Sequence, residues 1–343
     1  MTASALVPEV CSATAPPTEQ AEPQLDRVIL SFDVEEHYRI EAAKDVPTAD
    51  ALKDHYSERL DISTRWLLDK LAETGHKATF FIVGQIAHHN PALVRAIHRD
   101  GHEVASHGWD HSRVHHFTPA TFREDLRRGK DALEQVTGQA VVGYRAPTFS
   151  IMRQTAWALD VLSEADMIYD SSIYPVRHDR YGVPAAPRGP FLARGFRRTL
   201  LELPPATLRV LGVNTPMGGG GYFRLFPLLL TQWALRQTAG DCGSPVATLY
   251  FHPWEFDPDQ ARLPLGRLSR FRTYVGIRRT RGRLAALLTR YRFSRAVDVA
   301  KQLNHRLDTL PRFDLVPTSD GLEQIPEAVP LQVARASNGL NEV

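Results

Sequence analysis

Two histidines four residues apart, His107 and His111, are the first residues whose types and spacing could support chemistry. They lie in the segment 107–111, which follows the run 102–106 directly. On a helical or tightly turned backbone, side chains four positions apart share one face, so two imidazoles could bind one cation. Such a pair is by itself a weak signal, because ordinary surface helices also carry it. A metal site therefore has to be argued together with other residues.

An acidic cluster follows the first strand-like run of the chain. The run 27–32 is apolar and is followed by Asp33, Val34, Glu35 and Glu36. Because successive side chains of an extended chain alternate in direction, Asp33 and Glu35 should face one side and Glu36 the other. Two carboxylates on one face of a buried strand end are unfavourable unless a positive charge lies between them. An acidic turn exposed to solvent is the alternative.

Strands and helices that alternate along the chain would position these residues. A helix is predicted over 60–75, with Ser63 or Thr64 as its N-cap and Gly75 at its end. Further strands are predicted at 77–84, 102–106, 140–144, 167–169, 201–205 and 246–251. Further helices are predicted from 91 to 101, from 118 to 137, from 154 to 164 and from 226 to 235. This alternation implies parallel strands with helical crossovers.

The polar residues that could do chemistry come just after predicted strands. In chain order they are Asp33, Glu35, His107, His111, Arg145, Asp170 and His252. In parallel α/β folds, sites are built at the carboxyl ends of the strands. The sequence therefore predicts one shared site, carried by a large α/β barrel with extensions or by two domains.

Composition excludes several classes of protein. The chain has 343 residues, 43% of them hydrophobic, and a net charge of +2, which excludes a generally basic nucleic-acid-binding protein. Its two cysteines, Cys11 and Cys242, do not suggest a disulfide framework. No apolar run reaches the roughly 18 residues that a membrane span needs. The first residues lack the basic start and apolar core of a secretory signal, so we expect a cytoplasmic protein.

The later part of the chain is rich in glycine and then in arginine. Four consecutive glycines lie in a predicted loop over 217–224, but no lysine of the P-loop type follows, which disfavours phosphate binding. Between Arg262 and Arg295 there are eleven arginines and no acidic residue. A solvent-exposed basic helix face is the simpler interpretation. The functional alternative is a rim that attracts an anionic glycan, a lipid-linked pyrophosphate or acidic lipid headgroups, with peripheral membrane contact.

Five ordered motifs together resemble those of the polysaccharide deacetylase family, carbohydrate esterase family 4, which includes the nodulation-type chitooligosaccharide deacetylases. The segments SFDVEE, SHGWDH, YRAPTFS, YDSS and LYFHP are similar to its motifs, and ATFFIVG and GHEVASH to its linking strands. The stretches LELPPATLRVLG and GGGGYFRL, with residues 271–293, resemble the branch found beside exopolysaccharide-export loci of exosortase-bearing bacteria.

The resemblance covers residues 26–260 and implies a distorted (β/α)7-type barrel as the catalytic domain. Around it we expect a flexible leader over 1–25, a basic, arginine-rich helical extension over 261–313 and a loose tail over 314–343.

The first motif departs from the commonest form of the family, which has two adjacent aspartates. Val34 stands in the second position, and the same-face argument makes Glu35 the replacement metal ligand, with Glu36 as the alternative. The resemblance implies a divalent metal on Glu35, His107 and His111, with open positions for water and substrate. Zinc is the first expectation, and cobalt, nickel and iron are alternatives.

The resemblance also implies catalytic roles. Asp33 would be the general base, held ionised and oriented by Arg145, and the backbone N–H of Thr148 would help hold the oxyanion. His252 would protonate the departing amine, with Asp170 as the partner that keeps it cationic.

Two aromatic residues, Tyr144 and Trp254, could flank a sugar, although packing in the core explains them equally well. The expected reaction is removal of N-acetyl groups from a bacterial exopolysaccharide or its oligosaccharide precursor. A metal-independent, allantoinase-like amidohydrolase and a non-catalytic glycan-binding subunit of an export system are the alternatives. The sequence does not specify the sugar, the linkage, N- against O-deacetylation or the oligomeric state.

Overall fold

The computed structural model describes residues 27–241 and 246–316. The predicted leader, residues 317–343 of the predicted tail and both cysteines lie outside the described residues. The strands are β1 (Arg27–Val34), β2 (Thr79–Ile82), β3 (Glu103–Ser106), β4 (Gly143–Tyr144), β5 (Tyr169–Asp170), β6 (Phe191–Arg194), β7 (Thr199–Glu202), β8 (Thr207–Val210), β9 (Val213–Pro216), β10 (Val246–Phe251), β11 (Phe293–Ser294) and β12 (Arg312–Asp314). The helices are α1 (Asp50–Thr74), α2 (Gly84–His89), α3 (Pro91–Arg99), α4 (Pro119–Thr137), α5 (Trp157–Glu164), α6 (Gly220–Leu225), α7 (Leu228–Asp241), α8 (Arg267–Tyr274), α9 (Ile277–Arg290) and α10 (Ala296–Asn304).

A mainly parallel sheet forms the centre of the protein. Its strands run in the order β10-β1-β2-β3-β4-β5-β7, followed by β6, which is antiparallel to β7, and by β12. Beyond β7 the chain returns to β10, where Pro205 bridges Thr248 and Gly219 bridges Tyr250. These bridges bring the two ends of the parallel set together. The fold is a distorted α/β barrel, which confirms the predicted fold class.

The register between β1 and β10 sets the centre of the predicted site. Phe32 of β1 lies opposite Phe251 of β10, and the two strands are parallel. The next residues, Asp33 and His252, therefore leave the two strands side by side at the same edge. The pairing joins residues more than two hundred positions apart, so no local pattern encodes it.

Several predicted element boundaries are wrong. Helix α1 begins at Asp50, ten residues before the predicted start, so Ser63 and Thr64 are buried in its middle rather than capping it. The apolar stripe continues backwards through Tyr56 and Leu52, which pack against a smaller cluster. The predicted glycine loop contains the short helix α6, and α7 continues to Asp241 instead of ending at 235.

The arginine-rich region is part of the main body rather than an extension. Leu284, Leu287 and Leu288 of α9 belong to the main hydrophobic core, and β11 pairs with β1. The predicted tail is also wrong at its start, because β12 extends to Asp314 and Leu315 is fully buried. The apolar side of this segment, not its charge, determines where it packs. In the parts of the chain that the structure describes, no helix is long and apolar enough to cross a bilayer.

Candidate active site

The predicted metal ligands converge at one end of the parallel strands. One ligand atom each from Glu35, His107 and His111 lies within 4.8 Å of the others. Glu35 follows β1, and the two histidines follow β3 in a turn that needs left-handed backbone at Gly108 (φ 75°) and at His111 (φ 69°). A non-glycine residue in that region is uncommon and indicates a locally constrained backbone. The turn thus directs both imidazoles toward the same carboxylate.

The protonation states of these side chains suit a cation. Nδ1 of His107 lies 2.7 Å from the carbonyl oxygen of Arg145, so this nitrogen carries the proton and Nε2 keeps a free lone pair. Burial lowers the pKa of His107 to about 4, which keeps the ring neutral. Burial would raise the pKa of Glu35, but the neighbouring His111, together with His252 and His107, holds it well below its usual value.

One buried atom of this cluster has unused bonding capacity. Nε2 of His111 touches Oε2 of Glu35, but the contact lacks the angle of a hydrogen bond and Oε2 accepts none from the described residues. Two imidazole nitrogens and one carboxylate oxygen are a donor set found in catalytic zinc sites. The residues present therefore fit a divalent cation.

Glu36, the alternative ligand, points elsewhere. Its carboxylate pairs with Arg39 at 2.5 Å and lies 3.5 Å from the Ser57 hydroxyl. The alternation of side chains along β1 explains the difference, since Glu35 continues the face of Asp33 and Glu36 does not. Of the two glutamates, the geometry selects Glu35.

Asp33 and Arg145 form a fully buried pair beside the cluster. Nη1 of Arg145 donates to Oδ1 of Asp33 at 2.7 Å and to the hydroxyl of Ser31 at 2.8 Å. The other guanidinium nitrogens donate to the hydroxyl and carbonyl oxygens of Ser171, and the group stacks over Phe81. So many contacts fix the carboxylate in one orientation. Oδ2 of Asp33 is left facing His252.

His252 occupies the opposite wall of the site. Its Nε2 lies 3.6 Å from Oε1 of Glu35 and 3.9 Å from Oδ2 of Asp33. Its Nδ1 donates to Oε1 of Glu255 at 2.8 Å, and the other oxygen of Glu255 accepts from Nε of Arg224 at 2.7 Å. Burial would lower the pKa of His252, but the hydrogen bond to Glu255 and the charges of Glu35, Glu255 and Asp33 raise it to about 9. The ring is therefore cationic at neutral pH.

The prediction that Asp170 is the partner of His252 is wrong. Strands β5 and β7 are neighbours, and their register sets Asp170 opposite Glu202. The hydroxyl of Ser172 donates to Asp170 at 2.5 Å, and the amide of Ile173 donates to Glu202 at 3.0 Å. Burial raises the pKa of Asp170 to about 6 and that of Glu202 well above its usual value. Asp170 thus belongs to a buried carboxyl pair inside the barrel, and Glu255 takes the predicted place beside His252.

The remaining predicted residues divide between the pocket and the core. Thr148 borders the pocket with a left-handed backbone (φ 57°), and Trp254 forms part of the wall, with its ring stacked on His252 at 5.4 Å. Tyr144, by contrast, is 1% exposed and packs edge-on against Phe122 in the main core. The expectation that Tyr144 flanks a sugar is therefore wrong, because its side chain packs in the main core and does not line the pocket.

The pocket itself has a volume of about 240 Å³ and is partly open to solvent. Beyond the residues already described, its lining includes Arg180 and Tyr181, and Ser269 and Arg272 of α8. All four residues come from parts of the chain that follow β5.

Sequence reasoning missed Glu255 and Arg224. The signal for Glu255 is a capping box, in which His252 is the N-cap residue, Pro253 the first helical residue and Glu255 the third. The amide of His252 donates to Glu255 at 3.0 Å, as this motif requires. Arg224 had no local signal, since its guanidinium meets Glu255 only after α6 packs against the segment 272–275.

Comparisons with known proteins agree with this arrangement. The family described as "Polysaccharide deacetylase" matches residues 54–167, and the family described as "Domain of unknown function (DUF3473)" matches residues 171–301. The chain carries a polysaccharide deacetylase domain. The residues that match the polysaccharide deacetylase family include His107, His111, Arg145 and Thr148.

Relatives of this deacetylase domain align over part of the chain. A peptidoglycan-N-acetylglucosamine deacetylase of Listeria monocytogenes is 34% identical over 94 residues, which are 27% of this chain and 20% of that protein. A chitooligosaccharide deacetylase of Bradyrhizobium is 29% identical over 97 residues, 28% of this chain and 42% of that protein. The chain thus spans about a fifth to two fifths of the length of these relatives.

Solved structures extend the similarity of fold beyond the deacetylase domain. A Mycobacterium smegmatis protein assigned to the polysaccharide deacetylases superposes with a TM-score of 0.58 at 21% identity, over 88% of this chain and 97% of that one. A similarly assigned protein of Pseudomonas aeruginosa gives 0.55 at 18% identity, over 82% and 91%. The whole described body therefore has the deacetylase fold.

Proposed function

We propose that the chain hydrolyses the N-acetyl groups of an acetylated glycan, with a bacterial exopolysaccharide or its oligosaccharide precursor as substrate. One observation carries the proposal. Three candidate metal ligands meet beside an arginine-bound carboxylate and a cationic imidazole in a single open pocket. The relatives named for deacetylation of peptidoglycan and of chitooligosaccharides support the same class of reaction.

The three convergent side chains would hold a divalent cation, with zinc as the first candidate. When bound, such a cation polarises the amide carbonyl and makes a water molecule more acidic. Asp33 is placed to accept a proton, because Arg145 occupies its Oδ1 and leaves Oδ2 toward the pocket. The same contact fixes the orientation of the carboxylate that would act as the general base.

The leaving amine needs a proton, and His252 is placed to donate it from Nε2. Its Nδ1 is held by Glu255, so the ring is fixed with Nε2 toward Asp33 and Glu35. The backbone N–H of Thr148, at the border of the pocket, would contribute to holding the oxyanion. The proton taken by Asp33 and the proton given by His252 balance the hydrolysis, and acetate and a free amine are the products.

A matched pair of substitutions tests the proposal. Glu35→Gln should abolish both bound metal and acetate release, whereas Glu36→Gln should retain the metal, because Glu36 pairs with Arg39 and not with the histidines. Elemental analysis of the purified proteins gives the metal content. Acetate release from chitooligosaccharides and from the polymer of the source organism gives the activity.

Two outcomes would contradict the proposal in different ways. Acetate release, or hydrolysis of another amide, that survives exhaustive chelation would favour a metal-independent amidohydrolase. Normal metal content without hydrolysis of any acetylated glycan, and with glycan binding unchanged by Asp33→Asn and His252→Ala, would favour a non-catalytic binding subunit.

A further inference from the structure

Large apolar side chains are exposed mainly in one part of the chain. Ten such residues are exposed among those the structure describes, and eight of them lie between residues 210 and 271. These eight are Val210, Leu211, Val213, Leu225, Leu229, Trp233, Leu268 and Phe271. Single exposed apolar residues are ordinary, so what matters is whether one element brings several of them together.

Helix α8 carries two of these exposed apolar residues and also contributes to the lining of the pocket. Leu268 is 62% exposed and Phe271 is 55% exposed. Three positions apart on a helix, they share one face, and Arg267 and Arg270 flank them along the sequence. The helix therefore presents a leucine and a phenylalanine among free cations.

Most of the arginines around α8 have no acidic partner within the described residues, although Arg262 lies over the ring of Tyr274 at 5.2 Å. Eight of the eleven between 262 and 295 are exposed, and none of these eight forms an ion pair with the residues that the structure describes; they are Arg262, Arg267, Arg270, Arg272, Arg278, Arg279, Arg290 and Arg292. The half-buried ones do serve the fold. Arg281 donates to the carbonyl of Phe256, Arg283 to that of Phe226, and Arg295 pairs with Asp298.

This basic and apolar surface is carried by a helix that also lines the pocket. Ser269, Arg272 and Thr273 line the pocket from α8, so the helix has one face toward the site and a neighbouring face, with Leu268 and Phe271, toward solvent. On an α-helix these two faces are about 100° apart.

We propose that α8, with its exposed arginines and its Leu268–Phe271 face, is a docking surface for an anionic lipid bilayer. Exposed leucine and aromatic side chains on a strongly basic element are the pattern of interfacial membrane binding, in which the apolar tips enter the headgroup region and the cations meet anionic lipids. The proposal concerns where the protein binds and does not depend on the proposed reaction.

Vesicle flotation of the full chain tests this surface. The vesicles contain phosphatidylcholine alone or phosphatidylcholine with about a quarter phosphatidylglycerol, the anionic component that arginines should recognise. The tandem variants are L268S/F271S, R267Q/R270Q and, as a matched control, I62S/I168S, which removes the two exposed apolar residues that lie outside the 210–271 region.

Wild type and the control should bind the anionic vesicles and not the neutral ones. R267Q/R270Q should lower the partition coefficient by about tenfold or more, and L268S/F271S should lower it by a similar factor. Acetate release from soluble chitooligosaccharides, measured in parallel, should be unchanged by L268S/F271S, which separates docking from catalysis. The proposal is overturned if wild type does not bind anionic vesicles, if both test variants bind like wild type, or if the face instead supports a dimer that L268S/F271S dissociates.

Discussion

Replacing Glu255 by glutamine should separate the orientation of His252 from the rest of the site. Glu255 is fully buried and connects His252 to Arg224 through contacts of 2.8 and 2.7 Å. Glutamine keeps the size of the side chain and one acceptor oxygen but removes the charge. His252 then loses the negative partner that keeps its ring cationic and its Nε2 directed at the pocket.

The expected magnitude follows from the kind of contact that is lost. A hydrogen bond to a charged group contributes about 1.5–3 kcal/mol. If that energy is lost in the transition state, kcat for acetate release falls by roughly 10- to 100-fold, with little change in KM. Arg224 would also lose its only carboxylate among the described contacts, so the free energy of unfolding should fall by about 3 kcal/mol.

A double-mutant cycle with Arg224→Gln distinguishes the two effects. Removing both charges should restore much of the thermal stability, because no unpaired buried cation is left, but it should not restore kcat. Asp170→Asn provides a second comparison, since Asp170 pairs with Glu202 and does not contact His252, so it should lower kcat far less than E255Q does. Folded E255Q with wild-type kcat, or recovery of kcat in the double variant, would refute the assigned role of Glu255.

Two further predictions concern stability. Burial raises the pKa of Asp170 to about 6 and raises that of Glu202 well above its usual value. Above about pH 4 the folded protein therefore keeps a proton that the unfolded chain releases. The free energy of unfolding should fall as the pH rises from about 4 to 7. Glu202→Gln should therefore have a higher melting temperature than wild type at pH 7 and the same melting temperature near pH 4. An equal difference in melting temperature at the two pH values would contradict the shared burial of the pair. Gly143→Ala would bring a Cβ to 2.2 Å from the Tyr169 ring, and urea titration should give a loss of about 1–3 kcal/mol or more. Gly282 lies on α9 with open space around it, so Gly282→Ala should raise the free energy of unfolding by up to about 1 kcal/mol. A lower free energy of unfolding would contradict the open space at this position.

The parallel barrel could be predicted because its signals are local. Apolar runs such as 246–251 are bounded by polar residues, and Gly75 and Gly138 end α1 and α4 in the left-handed conformation that favours glycine. The placement of polar residues after strands was informative for the same reason. Every parallel strand ends at one edge of the sheet, so Glu35 and His107 had to approach each other.

What the sequence did not specify depends on pairing between distant segments. Asp170 meets Glu202 because β5 and β7 become neighbours, although β6 and a long loop separate them in the chain. Arg224 likewise reaches Glu255 through helix packing rather than through spacing. The capping box of His252 and Glu255 is the exception, since both residues lie in one turn and the pattern was readable in the sequence.

The two family matches do not correspond to two separable halves of the site. Asp33 and Glu35 precede both matches, His107 and His111 lie in the first, and His252 lies in the second with Glu255 and Arg224. Strand β10 carries His252 to its place by pairing directly with β1. A fragment limited to 54–167 would contain His107 and His111 but would lack Glu35, Asp33 and His252, the residues proposed as carboxylate ligand, base and acid. The region of unknown function is therefore a structural part of the candidate site, since it supplies the proposed proton donor and one wall of the pocket.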